Sequence, residues 1–373
     1  MKNFKLVYTI GVILLAVLLT LGIASLVLAV LGADVLKTFW VIFCYPFTSF
    51  KNLSGVINIM TPLTLVGIGI CVAYRSGIMN IGGEGQMLIG LLCAIVFALY
   101  SGIEGPLSIP LIMLVGMAGG AVWGFFPGIL KSKFGVSELL STVMFNYIAT
   151  QLYAYCLRVP LLDPAVAGGA GDPQTVKLAE SQWLPRINEV IENVPKGTRF
   201  HIGILIAIAL AVVVYLFMWK TPVGFKMRAA GASDRAARYG GISVSAYLVL
   251  AMIISGACCG LAGTVEILGV HHRGLGNCTG GYGFSGIVVA LFGGLHPLGV
   301  IPAAFFFALI SYGCSALQIN KIPVPSNMID VLLGLMIMVI VAAKLIIANP
   351  YLMDHVQHTV TKLINKKEGG ADA

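Results

Sequence analysis

Polar side chains set into long apolar runs are the residues best placed to do chemistry in this chain. Glu84 stands in the stretch GIMNIGGEGQMLIG, residues 77–90, together with Asn80 and Gln86. A charge inside a membrane costs at least about 2.5–3.5 kcal/mol on insertion scales, so such residues usually face a bundle interior or a watery cavity. This stretch is therefore a candidate polar route across a bilayer.

Each glutamate near an apolar run also has a structural interpretation. Glu84 either borders a polar route or satisfies free backbone N–H groups in the glycine-rich break. Glu138 follows Ser137 at the start of an apolar helix, where a carboxylate complements the helix dipole. Glu266 lies about two helical turns before Arg273, and an ion pair between these two residues is the favoured interpretation.

Enzymatic chemistry finds little support in the sequence. There is no Gly-Lys dipeptide, and hence no P-loop that would bind and hydrolyse ATP. The GYGFSG at 281–286 matches a dinucleotide fingerprint formally but lacks the required strand and βαβ context. His271 and His272 are adjacent rather than spaced to share a metal, and Arg273 would repel a cation. We predict no catalytic residue, no metal site and no cofactor.

The elements that position these residues are membrane helices, as composition indicates. Of 373 residues, 58% are hydrophobic and only 10% are charged, against about 25% charged in soluble domains. The net charge of +8 comes from basic residues between apolar runs, which is typical of cytoplasmic loops. The positive charge is therefore explained by membrane topology, and we predict a lipid bilayer as the chain's environment and no nucleic-acid partner.

We predict an all-α polytopic membrane protein forming one transmembrane domain, 1–373. About ten apolar stretches reach the roughly 20 residues that a span needs; they are 6–32, 52–73, 79–100, 107–130, 137–157, 201–219, 244–269, 281–296, 298–318 and 326–347. Lys-rich ends place both termini in the cytoplasm. The soluble parts are then an external loop at 158–200, a cytoplasmic loop at 220–243 and a cytoplasmic tail at 349–373. The external loop is either a cap or docking surface or a mere linker.

Two glycine-rich segments interrupt the predicted spans. One is 77–90 and the other is 271–297. Irregular backbone at membrane depth is tolerated only where protein buries it or a watery cavity accepts its hydrogen bonds. Short, glycine-interrupted segments in both halves of a chain point to a transport pathway and hint at an inverted repeat.

A ridge of glycines marks the fourth predicted span. Gly116, Gly120, Gly124 and Gly128 recur every four residues. Such a surface lets another helix backbone approach closely, so we predict a packing role for it.

The predicted cytoplasmic segment 221–244 contains a short helix. Ser233 is a good N-cap, residues 234–239 form an amphipathic turn, and Gly240 with Gly241 stop it. A short helix between glycines suits docking into a groove of another protein. An ordinary connector is the alternative.

Three blocks carry a resemblance to a known family: AYRSGIMNIGGEGQMLIG at 73–90, WGFFPGILKSKFGVSELLSTVMFNYIA at 123–149 and AAGASDRAARYGGI at 229–242. The chain resembles the permease subunits of bacterial ABC importers for ribose-like sugars and nucleosides. It is most similar to the nucleoside branch, which includes importers of guanosine and purine nucleosides.

The resemblance implies partners and a location. It implies an ATP-binding subunit, a second permease subunit that is often a different chain, an external substrate-binding lipoprotein and the bacterial cell membrane. It also implies a coupling helix that docks on the ATP-binding subunit, made of Gly231, Ala232, Ser233, Asp234, Arg235, Ala236, Ala237, Arg238, Tyr239, Gly240 and Gly241. Where the family commonly has Asn-Pro, this chain has Ser233-Asp234.

The expected function is that of a permease subunit in an ATP-driven importer of nucleosides or a simple sugar. It makes and breaks no covalent bond itself. The residues expected to border the route or its gate are Asn80, Glu84, Gln86, Glu138, Asn146 and Tyr147. A stand-alone, ion-coupled secondary transporter is the alternative, because broken helices and membrane carboxylates fit it equally well. Such a carrier would have no need of the 229–242 segment.

Overall fold

The computed structural model describes residues 32–103, 105, 107–166, 171–186, 198 and 200–320, with scattered positions in 8–30 and 322–351. The chain divides into two compact units, one of residues 1–44 with 313–373 and one of residues 45–312. In the first unit, helix α1 spans Val35–Phe43, and the Asp34 carboxylate caps it by accepting from Lys37 N.

The second unit holds the elements that concern function. Its helices are α2 (Phe50–Arg75), α3 (Gly83–Tyr100), α4 (Ser108–Phe134), α5 (Glu138–Arg158), α6 (Gly203–Lys220), α7 (Pro222–Ala232), α8 (Asp234–Tyr239), α9 (Val244–Glu266), α10 (Tyr282–Phe292) and the start of α11 (Pro297–Ile319). The described residues contain no β-strand, only two isolated bridges. The all-α prediction is confirmed over this part of the chain.

Six helices in the described residues are long and apolar enough to cross a membrane. They are α2, α3, α4, α6, α9 with its extension to His271, and α11. The prediction of about ten spans is therefore not supported. About half of the predicted span 6–32 and most of the predicted span 326–347 fall outside the described residues.

Two predicted spans fail for different reasons. The 281–296 segment contains only the 11 residues of α10, because Gly293 and Gly294 end the helix. At about 1.5 Å per residue it is much too short for a hydrocarbon core of about 30 Å. The 137–157 segment does form a helix, α5, but its polar residues leave it outside the apolar six.

Helix α9 lies at the centre of the second unit. It packs most extensively on α4 and also on α2 and α3. A Cβ on Gly120 would overlap the carbonyl oxygen of Gly256, and one on Gly90 would overlap the backbone of Gly260. The predicted glycine ridge therefore does allow close helix packing, with α9 as its partner.

The predicted short helix is observed as α8. Ser233 Oγ accepts from Ala236 N at 3.4 Å, and Gly241 ends the element at φ 73°. Sequence reasoning missed the preceding helix, α7, although Thr221 is a good N-cap and Pro222 a good first residue. Thr221 Oγ1 indeed accepts from Gly224 N at 3.1 Å.

Candidate functional site

The two glycine-rich breaks meet through the N-termini of two helices. A Cβ added to Gly283, in the first turn of α10, would overlap the backbone of Glu84, in the first turn of α3. Such close approach requires glycine. Each helix N-terminus carries a partial positive charge, so their meeting favours an anion between them.

The Glu84 carboxylate is that anion. One oxygen accepts from Gly283 N at 2.8 Å and the other accepts from the Thr279 hydroxyl. The residue is buried, with 9% of its surface exposed. Of the two interpretations of Glu84, the geometry favours the structural one, because the carboxylate satisfies the free backbone of the other break.

Asn80 and Gln86 form a second part of this network. Their side-chain amides bond reciprocally, at 2.8 and 3.2 Å. Asn80 Nδ2 also donates to Ser255 Oγ of α9 at 2.8 Å, and Asn80 Oδ1 accepts from Gly82 N at 2.9 Å. These bonds join the irregular 76–82 segment to the central helix.

Asn146 ties α5 to the same place. Its Nδ2 donates to Ile81 O at 3.0 Å, and its Oδ1 accepts from Gly85 N at 2.8 Å. The side chain is buried. Four of the six predicted route residues are thus brought together as buried side chains. Asn80, Glu84 and Asn146 bond to the broken backbone, and Gln86 bonds to the Asn80 side chain.

The other two predicted route residues lie apart from this network. Glu138 forms an ion pair with Lys131 at 2.7 Å across the turn between α4 and α5. Tyr147 is 65% exposed on the outer face of α5. That exposed face also includes Leu140, Met144, Ile148, Gln151 and Tyr155, so it mixes aliphatic, polar and aromatic groups.

The predicted ion pair between Glu266 and Arg273 is wrong. The backbone widens into a π-helical turn, Ile267–His271, and His272 then ends it in the left-handed region at φ 56°. Arg273 therefore leaves the helix and donates to Gln174 Oε1 at 3.0 Å. Glu266 Oε1 lies 3.4 Å from His271 Nε2 instead.

The 171–186 segment covers this end of α9. Leu178 N donates to His272 O at 2.8 Å, and Leu184 N donates to Leu268 O at 2.9 Å. Thr175 N donates to Gly274 O at 3.0 Å. The expectation for residues 158–200 was an external cap or docking surface, or else a linker. The partners of these particular bonds could not be predicted, because the spacing of polar residues contains no signal for them.

Two histidines lie beneath that segment, outside the apolar helices. The His272 ring stacks on Trp183 at 4.0 Å between centroids, and its Nε2 lies 2.9 Å from Arg186 Nη2. His201 Nδ1 accepts from Gly203 N at 3.1 Å. Burial, followed by the nearby Arg186 cation, lowers the pKa of each imidazole to about 4. Both rings are therefore neutral at pH 7.

These polar side chains form hydrogen bonds that stabilise the irregular backbone and connect neighbouring helices. The described residues contain no group of three His, Cys, Asp or Glu side chains that could bind a metal ion. The buried network instead fixes a backbone that breaks within the bundle. That arrangement fits a protein whose helices surround a path, rather than one that makes or breaks bonds.

Residues 52–341 match the family described as the permease component of the branched-chain amino acid transport system. The match covers well over half of the chain, which therefore belongs to this family of ABC transporter permeases. No solved structure matches significantly.

Curated relatives sharpen the class. The chain is 33% identical over 333 residues to the guanosine ABC transporter permease protein NupP of Bacillus subtilis, covering 88% of this chain and 92% of the relative. It is 30% identical to the glucose ABC transporter permease protein TsgB13 of Haloferax volcanii, covering 90% and 87%. It is also 30% identical to the nucleoside ABC transporter permease protein NupB of Lactococcus lactis, covering 83% and 85%.

The chain is accordingly a non-catalytic, multi-pass permease subunit of an ATP-driven importer, similar to permeases for nucleosides and sugars. An ATP-binding subunit and a substrate-binding protein are the partners that this class implies. The resemblance seen in the three sequence blocks is confirmed. Nothing in the relatives supports the stand-alone ion-coupled transporter.

Proposed function

We propose that this chain and a second, different permease subunit together import nucleosides across a bacterial cell membrane. A lipoprotein receptor delivers the nucleoside on the outside, where residues 158–200 face, and both chain termini lie in the cytoplasm. The 220–243 segment and the 349–373 tail lie on the inside. A simple sugar is the second candidate substrate, because one relative is named as a glucose permease.

The observation that carries the proposal is the exposed helix α8. Most of its residues are exposed, and Tyr239 exposes 95% of its surface. Asp234 and Arg238 pair with each other at 3.2 Å on the helix surface. A rigid short helix with a bare aromatic residue suits insertion into a partner's groove. We assign Gly231 to Gly241 as the coupling segment that the ATP-binding subunit moves.

The exposed face of α5 supports nucleosides as the substrate. Tyr147, Gln151 and Tyr155 lie on this face uncovered by the rest of the chain. Aromatic rings stack on bases and amides bond to base edges, so these three residues suit a nucleoside. We propose that this face borders the route, and that Asn80, Glu84, Gln86 and Asn146 form the frame beside it. Glu138 sits at the route's inner end, paired with Lys131.

The paired breaks fit a two-part design of the route. Helices α2 and α3 flank one irregular segment, and α9 and α10 flank the other. Their meeting at Glu84 and Gly283 is the arrangement expected of inverted repeats around a midplane pathway. We propose these two pairs as counterpart halves.

Reconstitution tests the proposal. The chain is co-expressed with the ATPase, second permease and receptor encoded beside it, and the purified assembly is placed in vesicles. Uptake of labelled guanosine should require ATP and receptor and should survive an uncoupler. Uptake that an uncoupler abolishes, or that proceeds without the ATPase, would refute it; uptake of glucose alone would select the second candidate.

A further inference from the structure

Arg75, the last residue of α2, joins two elements that are remote in sequence. Its Nε donates to Leu295 O at 2.8 Å and its Nη2 donates to Gly294 O at 3.1 Å. These two carbonyls belong to the turn between α10 and α11. A guanidinium fork that bonds two successive carbonyls fixes position and orientation together.

The turn held by Arg75 has an unusual backbone. Gly294 has φ 72°, and Leu295 has φ 54° although it is not glycine. A branched, bulky residue in the left-handed region persists only when its surroundings hold it there. Arg75 supplies part of that hold, since it bonds the carbonyls of these two residues.

Trp219, near the end of α6, contacts side chains from three different elements. The guanidinium carbons of Arg75 and Arg228 lie 5.8 and 5.2 Å from its ring centroid. The His296 ring, which follows the same turn, lies 4.8 Å from it. Arg228 belongs to α7, whose last two residues begin the coupling segment Gly231 to Gly241. One indole therefore contacts the end of α2, the α10–α11 turn and α7.

The coupling segment also touches the backbone of Arg75. A Cβ on Gly231 would overlap Arg75 O and would lie 2.7 Å from Gly77 N. Only a glycine lets the last turn of α7 pack this closely. Arg75 therefore contacts the start of the coupling segment through its backbone and the α10–α11 turn through its side chain.

Helix α10 has glycines at both of its ends. Gly280 and Gly281 precede it with φ 52° and 72°, and Gly293 and Gly294 follow it. Glycines at both ends are suited to absorb the backbone changes of a hinge motion. One end is held by Glu84 and the other by Arg75.

We propose that Arg75 is a positioning residue that passes movement of the coupling segment, Gly231 to Gly241, to α10. Pulling on the segment shifts the α10–α11 turn and tilts α10 about its contact with Glu84. The inference rests on the proposed function, because it takes α8 as the ATPase docking helix.

The test compares Arg75→Gln and Arg75→Lys in the complete reconstituted transporter. Arg75→Gln loses the cation and the fork, and substrate taken up per ATP hydrolysed should fall by about tenfold, the factor expected for losing charge-assisted bonds. ATP hydrolysis itself should stay near the unchanged rate. Arg75→Lys, which keeps the charge and can bond one carbonyl, should recover part of the loss. Lys51→Gln, at an exposed cation in the first turn of the same helix α2, is the matched control.

A second variant guards against misfolding of the first. Trp219→Leu leaves Arg75 in place but removes the shared ring, and it should lower uptake per ATP in the same direction. Uptake per ATP that stays normal in both variants, including the case in which uptake and ATP hydrolysis fall together, would overturn the proposal. Failure of the proposed function would look different, because the unchanged transporter itself would then show no ATP-dependent uptake.

Discussion

At the scale of residues, a carboxylate in a membrane helix turns out to hold backbone together. Glu84 bonds Gly283 N and Thr279 across the interface between two helix starts. Asn80, Gln86 and Asn146 do the same for the neighbouring irregular segment. The sequence indicated this site because these residues are polar and lie among glycines in an apolar run. Uncompensated polar groups are costly in a bilayer, so such residues need partners.

What could not be predicted at this scale is which partner each group has. The bond from Gly283 to Glu84 joins residues 199 positions apart, and no local pattern encodes such a distance. The expected pairing of Glu266 with Arg273 relied on a continuing helix, and a π-helical turn removed it. Local rules identify polar groups that need partners, whereas tertiary packing chooses the partners.

Replacing Glu84 by glutamine should destabilise the protein without unfolding it. The amide oxygen can still accept from Gly283 N, but the negative charge between two helix N-termini is lost. Glutamine also replaces the oxygen that accepts from the Thr279 hydroxyl by an NH2 donor. A hydrogen bond to a charged group contributes about 1.5–3 kcal/mol, so we expect the unfolding free energy to fall by about 1–2 kcal/mol. Thermal melting in detergent measures it, with Glu180→Gln, at an exposed position, as control. Equal melting temperatures would contradict the bridging role.

Tyr147→Ala tests the exposed face of α5. A base that stacks on this ring during passage loses about 1 kcal/mol or more of contact, so nucleoside uptake should fall about fivefold at fixed receptor affinity. Tyr147→Phe keeps the ring and should retain uptake. Leu152→Ala, exposed on another side of the same helix, is the control. Normal uptake by the alanine variant would remove Tyr147 from the route.

At the scale of elements, the glycine spacing and the helix caps could be predicted from the sequence, but the length of helix α10 could not. The four-residue glycine repeat in α4 correctly indicated a close helix contact, and Ser233 with two later glycines correctly delimited α8. Helix α10 was predicted as a span because apolar residues continue past Gly293. The positive φ of Gly294 and Leu295 ends the helix, and residue type alone did not reveal that turn.

Gly120→Ala should loosen the packing of α4 on α9. The added Cβ would overlap the Gly256 carbonyl oxygen, which is backbone and cannot turn aside. Overpacking of this kind costs about 1–3 kcal/mol, so the melting temperature in detergent should fall. Gly276→Ala is the matched control, since a Cβ there meets nothing within 4 Å. An unchanged melting temperature for Gly120→Ala would refute the ridge as a tight contact.

Acid should loosen the 171–186 segment from the end of α9. Burial and Arg186 lower the pKa of His201 and His272 from 6.5 to about 4. Lys177 and His271 also lie near His272. The unfolded state therefore binds protons first, so stability is full above about pH 6.5 and is lost as the pH falls towards 4.

Melting curves at several pH values test this behaviour. The unchanged protein should lose stability between pH 6.5 and 4. A double variant, His201→Gln with His272→Asn, should lose less over that interval, and asparagine tolerates the left-handed backbone of position 272. Parallel pH dependence in the two proteins would contradict the histidines' contribution.

At the scale of the whole molecule, the chain is a permease that depends on other subunits for energy and delivery. Its composition predicted membrane helices, and the blocks at 73–90, 123–149 and 229–242 pointed to the family that the comparisons established. The described residues contain six helices that could cross a membrane, against about ten spans predicted for the chain. One reason is that hydropathy cannot separate a half-length helix such as α10 from a full one. The partners are other chains, so the structure contains no contacts with them. The exposed surface of α8 is the feature that indicates where one of them docks.

Substitution on the surface of α8 tests most directly whether the ATP-binding subunit docks there. Tyr239→Asp places a charge on the 95% exposed aromatic of α8, and Tyr100→Asp does the same at an exposed tyrosine ending α3. Co-purification of the ATPase and ATP-dependent nucleoside uptake are measured for both. We predict that Tyr239→Asp loses the ATPase and at least about tenfold of uptake, as for an interface hot spot, while Tyr100→Asp keeps both. Full ATPase retention and normal uptake by Tyr239→Asp would contradict α8 as the docking helix.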